Sequence, residues 1–343
     1  MLGRSEGESV LEFAILPRRR LATVPGVAVL AGTLAVWAPA WLPATVAYDL
    51  MSAPRRLPLS RMLSFGLVWS WLETAGVMAS AGLWATGQSA RTDVHYELQR
   101  WWAARLVDGL RVLCDLRIEV DGLEVLAPGP VVVCGRHASI ADSLLPAWLL
   151  GQVAMRPRYV MKRELLFDPC LDIVGNRLPN HFVDRGTDDT GPELKAIERL
   201  AHGMGPRDAA VIFPEGAVAN PKRHEQAMAR LAARDPLRGQ HLTPIRHLLP
   251  PRPKGTMALL RGAPDADVIV MAHVGLEGLD RLASASQQVP LAAPIRVRLQ
   301  RFPRIEVPPE PEFAAWLDDR WLEVDTWVDD ALTARAAKVE GRS

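Results

Sequence analysis

Two long apolar stretches dominate the first quarter of the chain. Residues 21–48 carry no charge, and residues 62–90 carry only Glu73. Each is long enough to cross a bilayer. Arg18, Arg19 and Arg20 precede the first stretch, and Arg55, Arg56 and Arg61 lie around the gap between the two. Two full spans would put these clusters on opposite faces, against the tendency of positive charge to stay cytoplasmic. Pro39 and Pro43 interrupt the first stretch and each removes a helix donor. A proline-bent, re-entrant or interfacial hairpin keeps both clusters on one side and is the preferred reading. Two full spans come second, and a buried helical pair of a soluble protein third. The first stretch is too long for a secretory signal and lacks a cleavage site. The expected division is a mobile basic N-terminus at 1–20, a membrane-associated helical hairpin at 21–90 and an α/β domain at 91–343.

Beyond residue 90 the period shortens. Leu98, Trp101, Trp102, Leu106, Leu110 and Leu113 fall at three- and four-residue spacing, which predicts an amphipathic helix over 91–115. Short β-rich runs then alternate with helical stretches, the pattern of an α/β fold with a mixed sheet flanked by helices. Strands are expected at 116–120, 131–134, 158–161, 182–184, 210–213, 268–273 and 295–299. Helices are expected at 141–150, 190–202, 223–233, 255–261 and 311–336. Strand order is not readable from this pattern, and no internal repeat is visible.

Charge and composition narrow the partners. Lys and Arg number 40 against 39 Asp and Glu, so no net charge points to nucleic acid. Cys114, Cys134 and Cys170 are far apart in apolar contexts, which reads as packing thiols in a reducing compartment. Of 11 Trp, seven lie in the first third (Trp37, Trp41, Trp69, Trp71, Trp84, Trp101 and Trp102), a distribution suited to a lipid interface.

Polar residues collect where the expected strands end. His137 follows the run Val131–Cys134 and the turn Gly135-Arg136, and Asp142 comes five residues later in the first turn of a helix. The Asp can accept from one ring nitrogen and leave the other to take a proton. Phe182-Val183-Asp184-Arg185 and Phe213-Pro214-Glu215-Gly216-Ala217 end two further strands. Active sites of open α/β sheets gather at such exits. With these three motifs in order, residues 95–280 resemble the lysophospholipid acyltransferase family. Its patterns are N-H-x4-D, F-I-D-R and F-P-E-G-T; here Arg136 stands for Asn and Ala217 for the hydroxyl residue. The stretches 222–232 and 247–256, and the tail WLDDRWLEVDTWVDD, further resemble the eukaryote-type branch that acts on lysophosphatidate, lysophosphatidylinositol and lysocardiolipin.

The resemblance implies the glycerolipid acyltransferase fold and transfer of an acyl group from acyl-CoA or acyl carrier protein to a lysophospholipid hydroxyl. The acceptor it points to first is 1-acylglycerol-3-phosphate, and no cofactor or metal is implied. His137 is then the base and Asp142 its orienting carboxylate, with no acyl-enzyme. Arg185 suits the acceptor phosphate, and Glu215 would orient it or accept from a glycerol hydroxyl. Gly216 would bring a backbone amide to the oxyanion, beside Pro214 in the same motif. Lys162, with Lys222, Arg223 and His224, would hold phosphates of lipid or CoA. A guanidinium at Arg136 would depress the pKa of an adjacent histidine. His273 reads as a satisfied core histidine. A metal hydrolase is disfavoured because no H-E-x-x-H or H-x-x-x-H spacing occurs. A non-catalytic lipid carrier on the same fold is the remaining rival. Either way the expected partners are membrane lipids, at the cytoplasmic face of a membrane, and oligomeric state is not legible.

Overall fold

The structure, a computed structural model, describes residues 6–184, 191–279 and 282–340. The chain forms two compact units, Met1–Cys114 with Arg163–Leu178, and Asp115–Lys162 with Pro179–Ser343. In chain order come α1 (Glu6–Val36), α2 (Ala38–Ser52), α3 (Pro58–Ala85) and α4 (Thr92–Cys114). There follow β1 (Ile118–Asp121), β2 (Val131–Gly135), α5 (Leu144–Gln152), β3 (Arg156–Lys162), α6 (Pro169–Gly175) and β4 (His181–Val183). The rest is α7 (Gly191–Ala201), β5 (Asp208–Ile212), α8 (Pro221–Arg234), α9 (Pro236–His241), α10 (Pro253–Gly262), β6 (Asp267–Val274), α11 (Leu282–Gln288), β7 (Ile295–Phe302) and α12 (Phe313–Glu340).

The first unit is helical. Residues 6–20, expected as a mobile arm, lie within α1. The uncharged stretch breaks at Trp37, and Pro39 stands in the first turn of α2, where a missing N–H leaves no bond unmade. Arg19–Val36 and Pro58–Ala85 are long and apolar enough to cross a membrane by length and composition. The expected boundary at residue 90 falls instead at Cys114, because α4 packs along α3. Glu73, the lone charge of the second stretch, is buried and fully employed. Its Oε1 accepts from the Trp102 indole at 2.9 Å and its Oε2 from the Cys170 N–H at 3.0 Å. Asp172, also buried, takes the guanidinium groups of both Arg19 and Arg20 at 2.8–3.1 Å. Gly76 is needed where it stands, since a Cβ there would lie 2.5 Å from Cys170 Sγ.

The second unit is a seven-stranded mixed sheet of order β1-β7-β6-β2-β5-β3-β4 with helices packed against it. β6, β2, β5, β3 and β4 are mutually parallel, while β7 is antiparallel to β6 and carries β1 parallel to itself. All seven strands expected from the sequence are present. β2 is buried along its whole length, and β5 and β6 after their first residues, which is why they read as continuous apolar runs. Their carboxyl ends share one edge of the sheet. The connection from β3 to β4 departs from the usual crossover: a 3₁₀ turn at Arg163–Phe167 and α6 belong to the helical unit rather than to the sheet.

Candidate active site

The site is built at the carboxyl ends of the three adjacent strands β6, β2 and β5. Gly135 ends β2, and a side chain there would strike the Phe213 ring at 2.9 Å. That ring also packs on the His137 imidazole, with centroids 4.8 Å apart. The chain then turns through Ser139, whose Oγ accepts from the Ala141 N–H at 3.0 Å and caps the 3₁₀ turn Ile140–Ser143 that leads into α5. This turn folds Asp142 back onto the loop. Its Oδ2 accepts from the Ala138 and Ser139 N–H groups and lies 3.3 Å from His137 Nδ1.

Asp142 is fully buried, and His137 keeps 14% of its side chain exposed, so only the histidine is reachable from outside. Burial would raise the Asp142 carboxyl, but His273, His137 and the Ser139 N–H together hold it well below the usual carboxylate range. An ionised Asp142 requires the hydrogen on His137 Nδ1. No described residue bonds to Nε2 of His137, which leaves that nitrogen with a lone pair toward solvent.

Glu215 corrects the sequence reading. Expected at the acceptor, it is buried and points inward, its Oε1 accepting from the His137 N–H at 2.7 Å and its Oε2 from the Leu249 N–H at 2.8 Å. Burial pushes its carboxyl up to about 8, against the pull of those two N–H groups and of Arg136. Gly216 is corrected too. Its φ of +67° serves the turn, and its N–H donates to the Phe213 carbonyl at 3.0 Å instead of facing an oxyanion. A side chain there would meet the Arg252 guanidinium at 3.1–3.3 Å. The Pro214 carbonyl accepts from the Arg252 N–H at 2.9 Å, so the buried proline ties this loop to the start of α10.

Arg136 is likewise buried. Its guanidinium bonds the His273 carbonyl and pairs with Glu277 at 2.6 Å, so its charge is met by that carboxylate. Burial would raise Glu277, and Arg136 more than offsets this, holding the carboxyl below its ordinary value. Lys162 ends β3, exposed, on the same sheet edge. Arg185 lies outside the described residues; Asp184 before it is exposed at the end of β4. The residue whose place sequence missed is His273. Its Nε2 is 3.1 Å from the Arg136 carbonyl and 3.6 Å from Asp142 Oδ2. The signal was available, since His273 is a polar residue near the end of an apolar strand like His137 itself. Among the described residues, no three His, Cys, Asp or Glu side chains are grouped to hold a metal ion.

A buried carboxylate holding a reachable imidazole at a parallel-sheet edge is an arrangement that can take a proton from a hydroxyl brought to it. Residues 117–256, which include His137, Asp142 and Glu215, match the model of the Acyltransferase family. The match spans less than half of the chain. No curated protein matches the chain. Among solved structures it is similar to the 1-acyl-sn-glycerophosphate (LPA) acyltransferase, PlsC, of Thermotoga maritima, with 13% identity and a TM-score of 0.41. That alignment covers 76% of this chain and 96% of the other.

Proposed function

We propose that this protein is an O-acyltransferase that moves an acyl group from acyl-CoA or acyl carrier protein to the free hydroxyl of a lysophospholipid, 1-acylglycerol-3-phosphate first among them. The observation that carries the reading is His137, held through Nδ1 by buried Asp142 with Nε2 unengaged, inside the matched span. Nε2 takes the acceptor's hydroxyl proton as its oxygen attacks the thioester carbonyl. The C–S bond then breaks, and the departing thiolate takes that proton from the imidazolium. The products are an ester and a free thiol, with His137 restored and no acyl-enzyme formed.

Arg185 and Lys162 are proposed for the acceptor and donor phosphates, on charge and on their places, Arg185 two residues past β4 in sequence and Lys162 at the end of β3. Exposed Trp37, Trp71 and Trp84, in or beside two helices of spanning length, support a membrane location. The basic flanks and free thiols support a cytoplasmic catalytic unit. Thiol labelling of a cysteine placed at Arg56 separates the topologies: labelling only from outside eliminates the re-entrant hairpin.

The test of function is acyl transfer by purified protein from one radiolabelled acyl-CoA to a panel of lysophosphatidate, lysophosphatidylinositol and lysocardiolipin. His137→Ala is expected to cut turnover by about 10²–10⁴-fold, with lipid binding largely kept. Transfer that survives the substitution removes His137 as the base. Lipid binding with no transfer by the unmodified protein leaves the carrier reading in its place.

A further inference from the structure

His137 sits between two peptide groups, and both are held. The Arg136 carbonyl accepts from His273 Nε2 at 3.1 Å, and the N–H of the same peptide unit donates to Glu215 at 2.7 Å. One peptide plane is therefore gripped at its two ends by side chains from β6 and from the exit of β5, the strands that flank β2. On the other side, the His137 carbonyl accepts from the Ala219 N–H at 2.9 Å.

His273 does a second thing. Its Nε2 lies 3.6 Å from Asp142 Oδ2, the same oxygen that faces His137 Nδ1. Both neighbours of Nε2 are acceptors, so that nitrogen carries the hydrogen. The other nitrogen, Nδ1, is buried without a partner among the described residues. A fully buried imidazole with one unpaired nitrogen costs stability that an apolar residue would not. Its neighbours on β6, Met271, Ala272 and Val274, are apolar and incur no such cost.

Resting on the reading of His137 as the base, we propose that His273 is a positioning residue: its Nε2–H fixes the peptide that carries His137 and steadies the Asp142 carboxylate that orients the ring. It touches no substrate and acts only through those two groups. Its removal should therefore lower turnover while leaving substrate binding intact.

The experiment compares full-length wild type, His273→Leu and His273→Gln in acyl transfer from one acyl-CoA to 1-acylglycerol-3-phosphate, below the Tm of all three. Leucine removes the donor, whereas the glutamine amide nitrogen reaches the place of Nε2. For H273L, kcat should fall by about 10–100-fold, the scale of a slightly misplaced catalytic group, with KM close to wild type. H273Q should recover most of that loss. An unchanged kcat in folded H273L, a change confined to KM, or an equal loss in H273Q overturns the proposal. Should H273L not fold, His273→Asn replaces it, since its amide reaches only the Nδ1 position and should lose kcat alike. Should wild type transfer no acyl group, the functional reading has failed. The proposal is then read from the rate at which diethyl pyrocarbonate modifies His137, located by mass spectrometry. A changed rate in H273L that H273Q restores upholds it, and an unchanged rate overturns it.

Discussion

At Glu215 a carboxyl group lies buried with the N–H groups of His137 and Leu249 on its two oxygens. Burial raises its pKa from 4.5 to about 8, so the folded protein holds this proton more tightly than the unfolded chain does. Its contribution to stability is thus complete below about pH 4.5 and is lost as pH rises to about 8. Glu215→Gln removes the titration and sets an NH₂ against one of two N–H donors. That mismatch is expected to cost about 1–3 kcal/mol. Thermal melts between pH 5 and 8 should show the wild-type Tm falling more steeply than that of E215Q. Parallel slopes would mean that Glu215 does not titrate in this range.

At the scale of elements, α12 sets the loop that faces Glu215. Asp325 accepts from the N–H groups of Arg246, His247 and Leu248 at 2.7–3.1 Å, and Asp318 receives the Arg238 guanidinium at 2.6–2.8 Å. Trp321, Leu317 and Val328 bury the helix against the core of the sheet unit. Asp325→Ala leaves three donors unpaired, at about 1–3 kcal/mol for each that water cannot reach. A clear drop in Tm is expected, and an unchanged Tm would show that the loop holds itself. The strands β2 and β6 were legible because burial on both faces leaves VVVC and VIVMA without polar interruption. The His137–Asp142 pair was legible because its partners are five residues apart. The work of Glu215 was not, because its partner Leu249 is 34 residues away and offers only a backbone N–H. Nor was that of His273, whose contacts lie 137 residues back at a peptide carbonyl. The helix α6 escaped as well: it has seven residues, and only Asp168, which caps the Leu171 N–H at 2.8 Å, and Pro169 announce it.

At the scale of the molecule, the helical unit draws on two separate parts of the chain. Residues 163–178 supply the Cys170 N–H to Glu73, the Asp172 carboxylate to Arg19 and Arg20, and the Arg177 guanidinium to Ser80. Deleting residues 1–114 should therefore leave the sheet unit carrying a polar and apolar segment with no partner. Such a fragment is expected to aggregate in size-exclusion chromatography. Replacing 163–178 in it by a polar link of equal length should restore a soluble species with a cooperative melt, and failure of that rescue would show that the sheet unit needs more than relief from the segment. The same interleaving imposes an order of events on the ribosome. Roughly sixty residues separate Cys114 from Leu178, or on the order of 3–12 s of synthesis. Through that interval Arg19 and Arg20 still await Asp172, and Glu73, which already has Trp102, still awaits the Cys170 N–H.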